Sequence, residues 1–171
     1  RAFYSCGALK NVTMPSTVTS IASDAFQGIA ATSAGPAGGE YDYQFAWSES
    51  IPANAFRGIS SLTSVVIPDG ITTIGGSAFY ESGLTSIGLP SSVTTVGTYC
   101  FNNCDSLTDV TWSAGAATIP ERCFNDCDAL ISVVIPEGVT SIGYCAFYGS
   151  GSLQNITVPG TITSISDGAF N

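Results

Sequence analysis

The chain copies itself at a fixed interval. A phenylalanine preceded by Ala or Cys stands at Phe3, Phe26, Phe56, Phe79, Phe101, Phe124, Phe147 and Phe170, with gaps of 23, 30, 23, 22, 23, 23 and 23 residues. Five residues before each later Phe is Ile or Val: Ile21, Ile51, Ile74, Val96, Ile119, Ile142 and Ile165. Leucine falls six residues after many of them, at Leu9, Leu62, Leu107, Leu130 and Leu153. Apolar pairs spaced by two follow, such as Val65 and Ile67, Ile87 and Leu89, Val110 and Trp112, Val133 and Ile135. A unit this short cannot bury its own apolar column, but stacked units cover one another, so the period predicts a solenoid. The spaced pair predicts a short strand with one buried face. Pro15, Pro68, Pro90, Pro136 and Pro159 then end the ladder, because proline lacks an amide donor. The "VTSI" segment suits either a second extended stretch or an irregular turn. "AFxxC" is too short for a stable helix and predicts a tight helical turn at most.

Composition removes several kinds of function. Thirteen Asp and Glu oppose four Lys and Arg, a net charge of −9, which repels a phosphate backbone and argues against nucleic acid as a partner. Histidine, the usual general base and metal ligand, is absent. No apolar run reaches the ~18–20 residues of a membrane-spanning helix. No base neighbours a Ser or Cys as nucleophilic catalysis requires, and no phosphate-binding glycine loop opens a helix. The residues therefore point away from an enzyme, a cofactor and a resident metal. Abundant Ser and Thr with one Lys, Lys10, suit an extracellular surface. Both ends fall in mid-pattern, so residues 1–171 are expected to be a single repeat domain of about seven rungs cut from a longer array.

The strings "LTSVVIPDGITTIGGSAFY", "LTSIGLPSSVTTVGTYCFNNC", "LTDVTWSAGAATIPERCFNDC" and "LISVVIPEGVTSIGYCAFYGS" resemble the BspA-like leucine-rich repeats of microbial surface proteins. The resemblance spans nearly the whole chain. It implies a leucine-rich-repeat solenoid, β-rich, with a parallel concave sheet and short or helical turns behind it. It also implies a non-catalytic recognition or adhesion module at the cell surface or outside the cell, binding a protein or a glycan. The alternative is a structural block of a surface layer, appendage or filament that associates laterally with its own copies.

The 30-residue unit departs from the pattern with an insertion near residues 30–42, "ATSAGPAGGEYDY" leading into an aromatic strand. Aligning Phe45 and Trp47 with Val110 and Trp112 places about ten extra residues before that strand. Insertions in solenoids project from one face and often carry binding, which nominates Tyr41, Tyr43 and Gln44. The other candidates are the outward strand positions Ser64, Val66, Ser86, Asp109, Thr111, Ser132 and Val134, small and nearly uncharged. The bland alternative for them is a solvated sheet face. Thr72, Thr94, Thr140 and Thr163 beside Thr73, Thr95, Ser141 and Ser164 form a hydroxyl array, for which β-propensity is the favoured explanation over ordered water. Cys104 and Cys127 share one column and Cys100 and Cys123 another. The repeat dictates their spacing, so a buried thiol ladder is favoured over zinc, with inter-rung disulfides as an alternative. Asn11 and Asn155 open N-x-Thr sequons in one outward column and are expected to be N-glycosylation acceptors in a eukaryotic secretory pathway and to carry no meaning in a bacterium.

Overall fold

The computed structural model describes residues 1–171 and contains fourteen short strands and no helix. A front ladder is made of β1 (Val12–Met14), β2 (Ser33–Pro36), β3 (Tyr43–Phe45), β5 (Ser64–Val65), β7 (Ser86–Gly88), β9 (Asp109–Thr111), β11 (Ser132–Val134) and β13 (Asn155–Thr157). A back ladder is made of β4 (Ser50–Ile51), β6 (Thr73–Ile74), β8 (Thr95–Val96), β10 (Thr118–Ile119), β12 (Ser141–Ile142) and β14 (Ser164–Ile165). Every pairing is parallel and in register, for example Val110 with Ile87 and Val133, and Ile74 with Ile51 and Val96. The "VTSI" segment is therefore a genuine second strand, two residues long in every rung from Ser50 onward, while residues 18–21 of the first rung form none.

The Phe segment forms a third, non-sheet ladder, and it corrects the expectation of a helical turn. Positive φ recurs two residues before each Phe from Phe56 onward and two after each Phe but the last: Asn54 (61°), Ser77 (55°), Tyr99 (59°), Arg122 (50°) and Cys145 (52°) before, Ser5 (56°), Glu81 (56°), Asn103 (56°) and Asp126 (54°) after, with glycine at the remaining positions. Left-handed residues at both positions forbid a right-handed helical turn. They also aim alternate amides along the solenoid axis. Tyr99, Phe101 and Asn103 donate to the carbonyls of Glu121, Cys123 and Asn125, and Arg122, Phe124 and Asp126 to those of Tyr144, Ala146 and Tyr148, at 2.7–3.1 Å. All of these N–H groups point toward the C-terminal rung. Glycine serves this conformation without penalty at Gly58 and Gly149, where φ is 70° and 75°.

The core is a stack of identical side chains. The rings of Phe56, Phe79, Phe101, Phe124, Phe147 and Phe170 follow one another at 5.0–5.3 Å with interplanar angles of 2–14°. Burial of one such ring stabilises by roughly 1.5–3 kcal/mol, and aromatic pairing adds ~0.5–1.5 kcal/mol. Ile74, Ile119 and Ile142 and Leu62, Leu107 and Leu130 line the same interior and are fully buried. Threonine hydroxyls tie the rungs together from outside: Thr63 and Thr85 donate to the carbonyls of Thr32 and Thr63 at the front, and Thr72, Thr94, Thr140 and Thr163 to Glu49, Thr72, Ala117 and Thr140 at the back.

The insertion does more than project. Its residues Ser33–Pro36 form β2, which pairs with β5, and the chain then doubles back so that β3 lies between β1 and β2. The front ladder thus gains a strand that the back ladder lacks. The register pairs Tyr43 with Val12 and Phe45 with Met14, so Tyr43 and Phe45, and not Phe45 and Trp47, occupy the core columns of this rung. Tyr43 wedges between Phe26 and Phe56, at 5.5 and 4.9 Å and edge-on to both, and interrupts the parallel ring stack.

Candidate interaction surface

The front face is built from the outward residues of the front strands. Their pleat alternates, so Val110 and Val133 point into the core while Asp109, Thr111 and Val134 point out and Ser132 is half-buried. Ser86, Asp109, Ser132 and Asn155 form one outward column and Gly88, Thr111, Val134 and Thr157 the next, and Ser64 and Val66 hold the equivalent positions in the preceding rung, whose strand β5 belongs to the adjoining sheet. Ser64, Val66, Ser86 and Thr111 are exposed. Val66 is 45% and Val134 58% exposed, which is high for aliphatic side chains. Asp109 carries the negative charge of this strip. Its carboxylate accepts from the Thr108 hydroxyl at 2.7 Å and the Ser132 hydroxyl at 2.8 Å, and these bonds, Thr108 first, hold its pKa below the ordinary value. The face offers hydroxyls, methyls and one fixed carboxylate, a surface suited to broad contact and to hydrogen bonding.

At the insertion the predicted residues separate. Tyr41 lies on the front face with its ring over Gly35, where a Cβ would meet the ring at 2.4 Å, and over Gly39 at 2.3 Å. Glycine at both positions lets the ring seat this closely on the backbone. Gln44 shares the outward column with Thr13 and Gly35; its Oε1 accepts from the Gly38 amide at 3.2 Å and its Nε2 donates to the Tyr41 carbonyl at 3.3 Å. Asp42 Oδ2 accepts from the Thr32 amide at 2.8 Å and the Thr32 hydroxyl at 2.9 Å. The Thr32 amide, then its hydroxyl, hold the Asp42 carboxyl below its ordinary pKa. Tyr43 is the correction: as the residue after Asp42 it points inward, is 0% exposed, and presents nothing to a partner. Its hydroxyl is buried without a hydrogen-bond partner, and desolvation raises its pKa.

Five of the six thiols are buried and Cys6 is exposed. Cys104 and Cys127 donate to the carbonyls of Phe79 and Phe101, both at 3.1 Å, and Ser150 makes the equivalent bond to Phe124 at 2.7 Å. All six cysteines are free thiols, and Cys100, Cys104, Cys123 and Cys127 are buried. Burial pushes the Cys104 thiol up to about 12 and raises Cys100, Cys123 and Cys127 as well. A protonated, enclosed thiol is a poor nucleophile. Asn11 and Asn155 are exposed, at β1 and β13.

A feature that strand patterning alone does not disclose lies on the turn side. Arg57 stacks on Tyr80 at 4.1 Å, and Arg122 lies between Tyr99 and Tyr144 at 5.9 and 5.7 Å. The signal was present in the repeat alignment: Arg57 and Tyr80 both follow the Phe directly, and Tyr99 and Arg122 both precede it by two.

In-register parallel rungs of about 23 residues, with Leu, Ile and Phe ladders inside, define a leucine-rich-repeat solenoid. The chain belongs to the BspA-type leucine-rich repeat family: the BspA type Leucine rich repeat region matches in six copies over residues 1–34 and 49–171, leaving out the part of the insertion that forms β3. Among solved structures it is similar to a leucine-rich repeat protein of T. pallidum, at 25% identity and TM-score 0.68 over 90% of this chain and 69% of that one. It is similar to a leucine-rich cell surface protein of Faecalibacterium prausnitzii at 26% identity and TM-score 0.61, over 99% of this chain and 59% of that one. A leucine-rich repeat protein of Eubacterium ventriosum shares the fold at 19% identity and TM-score 0.70, over 94% of this chain and 58% of that one. No curated protein sequence matches the chain.

Proposed function

We propose that the chain is a non-catalytic recognition module of a surface-exposed protein, and that it binds a protein or glycan through the front face. The carrying observation is the contrast between an acidic chain and this strip, which has Asp109 as its one carboxylate and on which the Tyr41 ring is seated over Gly35 beside Gln44. Such a face approaches a flat partner without repelling it, and an aromatic ring beside amide and hydroxyl groups suits either a sugar face or a peptide surface. The cell-surface description of the Faecalibacterium prausnitzii neighbour supports the proposed location.

The test is a glycan array and a surface-protein pull-down with the wild type, Tyr41→Ser and Thr111→Arg. A ligand of the front face loses about tenfold or more in affinity, ~1.4 kcal/mol, with each variant. A ligand that binds all three chains equally refutes the assignment. Concentration-dependent association unaffected by either substitution would favour the lateral structural role.

A further inference from the structure

The strand added at the front has a consequence at the back, on a surface separate from the one proposed above. In the regular rungs two successive amides donate to one carbonyl of the preceding rung: Thr72 and Thr73 to Glu49, Thr94 and Thr95 to Thr72, Thr140 and Ser141 to Ala117, Thr163 and Ser164 to Thr140. The equivalent groups at the insertion are the Glu49 and Ser50 amides and the Thr19 carbonyl, and none of them makes a backbone hydrogen bond there. The next bond of the series, Gly75 to Ile51 in the following rung, has no counterpart because Pro52 has no N–H. Side chains span the gap instead: Trp47 Nε1 donates to the Val18 carbonyl at 2.8 Å and Asn54 Nδ2 to the Ile21 carbonyl at 3.2 Å.

A cleft of about 230 Å³ opens between the two rungs, lined by Ser16, Val18 and Thr19 on one side and by Trp47, Glu49 and Ser50 on the other. Missing bonds alone do not make such a cleft. The amides of Ala117 and Thr118 also lack partners in the preceding rung, yet β8 and β10 stay packed together. At the insertion the two rungs are parted, and β4 is left as the outer strand of its sheet.

We propose that this cleft accepts an extended peptide strand, which adds to the free edge of β4 as strands add to exposed sheet edges. The occupant's backbone supplies a carbonyl to the Glu49 and Ser50 amides and an N–H to the Thr19 carbonyl. Its inward side chain is small, because the buried Trp47 indole floors the cleft. Its outward side chain beside Glu49 is basic, since Glu49 is the one charged residue lining the cleft and the chain as a whole is acidic.

The test uses blocked pentapeptides Thr-Lys-X-Thr-Gly with X as Gly, Ala, Ser or Val, read by residue-resolved amide hydrogen exchange and titration on the 171-residue chain. The small-X peptides are expected to slow exchange at Glu49 and Ser50 about tenfold or more at saturation. Exchange at Thr72 and Thr73, already bonded to Glu49, should not change. Replacing the peptide's Lys by Glu, methylating its backbone nitrogens, or introducing Ser50→Pro should each weaken binding about tenfold or more, whereas Tyr41→Ser should leave it unaltered. Should Ser50→Pro misfold, the methylated peptides carry the same test from the ligand's side. Unchanged exchange with the whole panel, or equal binding of the methylated peptides, overturns the proposal.

Discussion

At the scale of single residues, each repeated position has one physical task, and substitutions divide accordingly. Phe101 is fully buried between Phe79 and Phe124. Phe101→Ala removes two ring contacts and leaves a cavity; chemical denaturation should show a loss of about 3–5 kcal/mol. The cysteine column tests a hydrogen bond. In Cys104→Ser the hydroxyl can donate to the Phe79 carbonyl as Ser150 does to Phe124, so stability should change by less than about 1.5 kcal/mol. Cys104→Ala removes that bond and leaves the Phe79 carbonyl with the Ser82 amide alone, at 3.0 Å, so it should cost about 0.5–1.5 kcal/mol more than Cys104→Ser. A larger loss for Ser than for Ala would mean that packing of sulfur, and not donation, maintains the column. Most of these roles were visible in the sequence because a residue repeated at one interval meets its own copy. Tyr43 was not: it faces inward with Phe45 only because the strand already includes residue 43, and only its pairing with Val12 fixes that.

At the scale of elements, the insertion is held by a few specific contacts. Gly35→Ala drives a methyl group into the Tyr41 ring, which is the far end of a side chain and swings away. The expected result is near-native stability with weakened front-face binding, checked by a thermal melt beside the binding assay. Gly97→Ala differs, because its Cβ would lie 2.3 Å from the Gly76 backbone nitrogen and the rungs themselves must part; a loss of about 1–3 kcal/mol is expected in denaturation. The carboxylates give a pH signature. Asp42 and Asp109 have folded pKa values below their unfolded ones, so the stability they add is present above the unfolded value and is lost as pH falls through the folded value. Asp105 has the opposite sign: burial, then Asp128 and Asp126, raise its pKa, so its cost at neutral pH is relieved as pH falls through the raised value. The melting temperature should therefore rise slightly on mild acidification and then fall. A monotonic fall from neutral pH would contradict that order. The insertion's existence and approximate bounds were legible from the 30-residue gap; that it would pair as a strand, and on which side of β3, was not, because Ser-Ala-Gly-Pro has little strand preference of its own.

At the scale of the whole molecule, stability comes from neighbours in the stack, since each rung meets only the rungs beside it. Charge is a weak contributor: Arg57 and Arg122 spend their guanidinium groups on tyrosine faces. The extra front strand divides the array at residues 33–45, with regular rungs following from Phe56 onward. Each face gains a feature there, Tyr41 at the front and the Glu49–Ser50 edge at the back, and both arise from the same insertion.

The sequence by itself determined the solenoid, its period, its Phe, Ile and Leu ladders and the outward columns, because repetition makes every column a statement about contact between copies. The tertiary structure alone decided three things: the left-handed geometry of the Phe turns, the reversed order of β2 and β3, and the opening of the back ladder. The reason is that these depend on how amides find partners between rungs, and residue identity constrains the partners of a backbone amide only where it removes the donor, as at Pro52, or permits the turn.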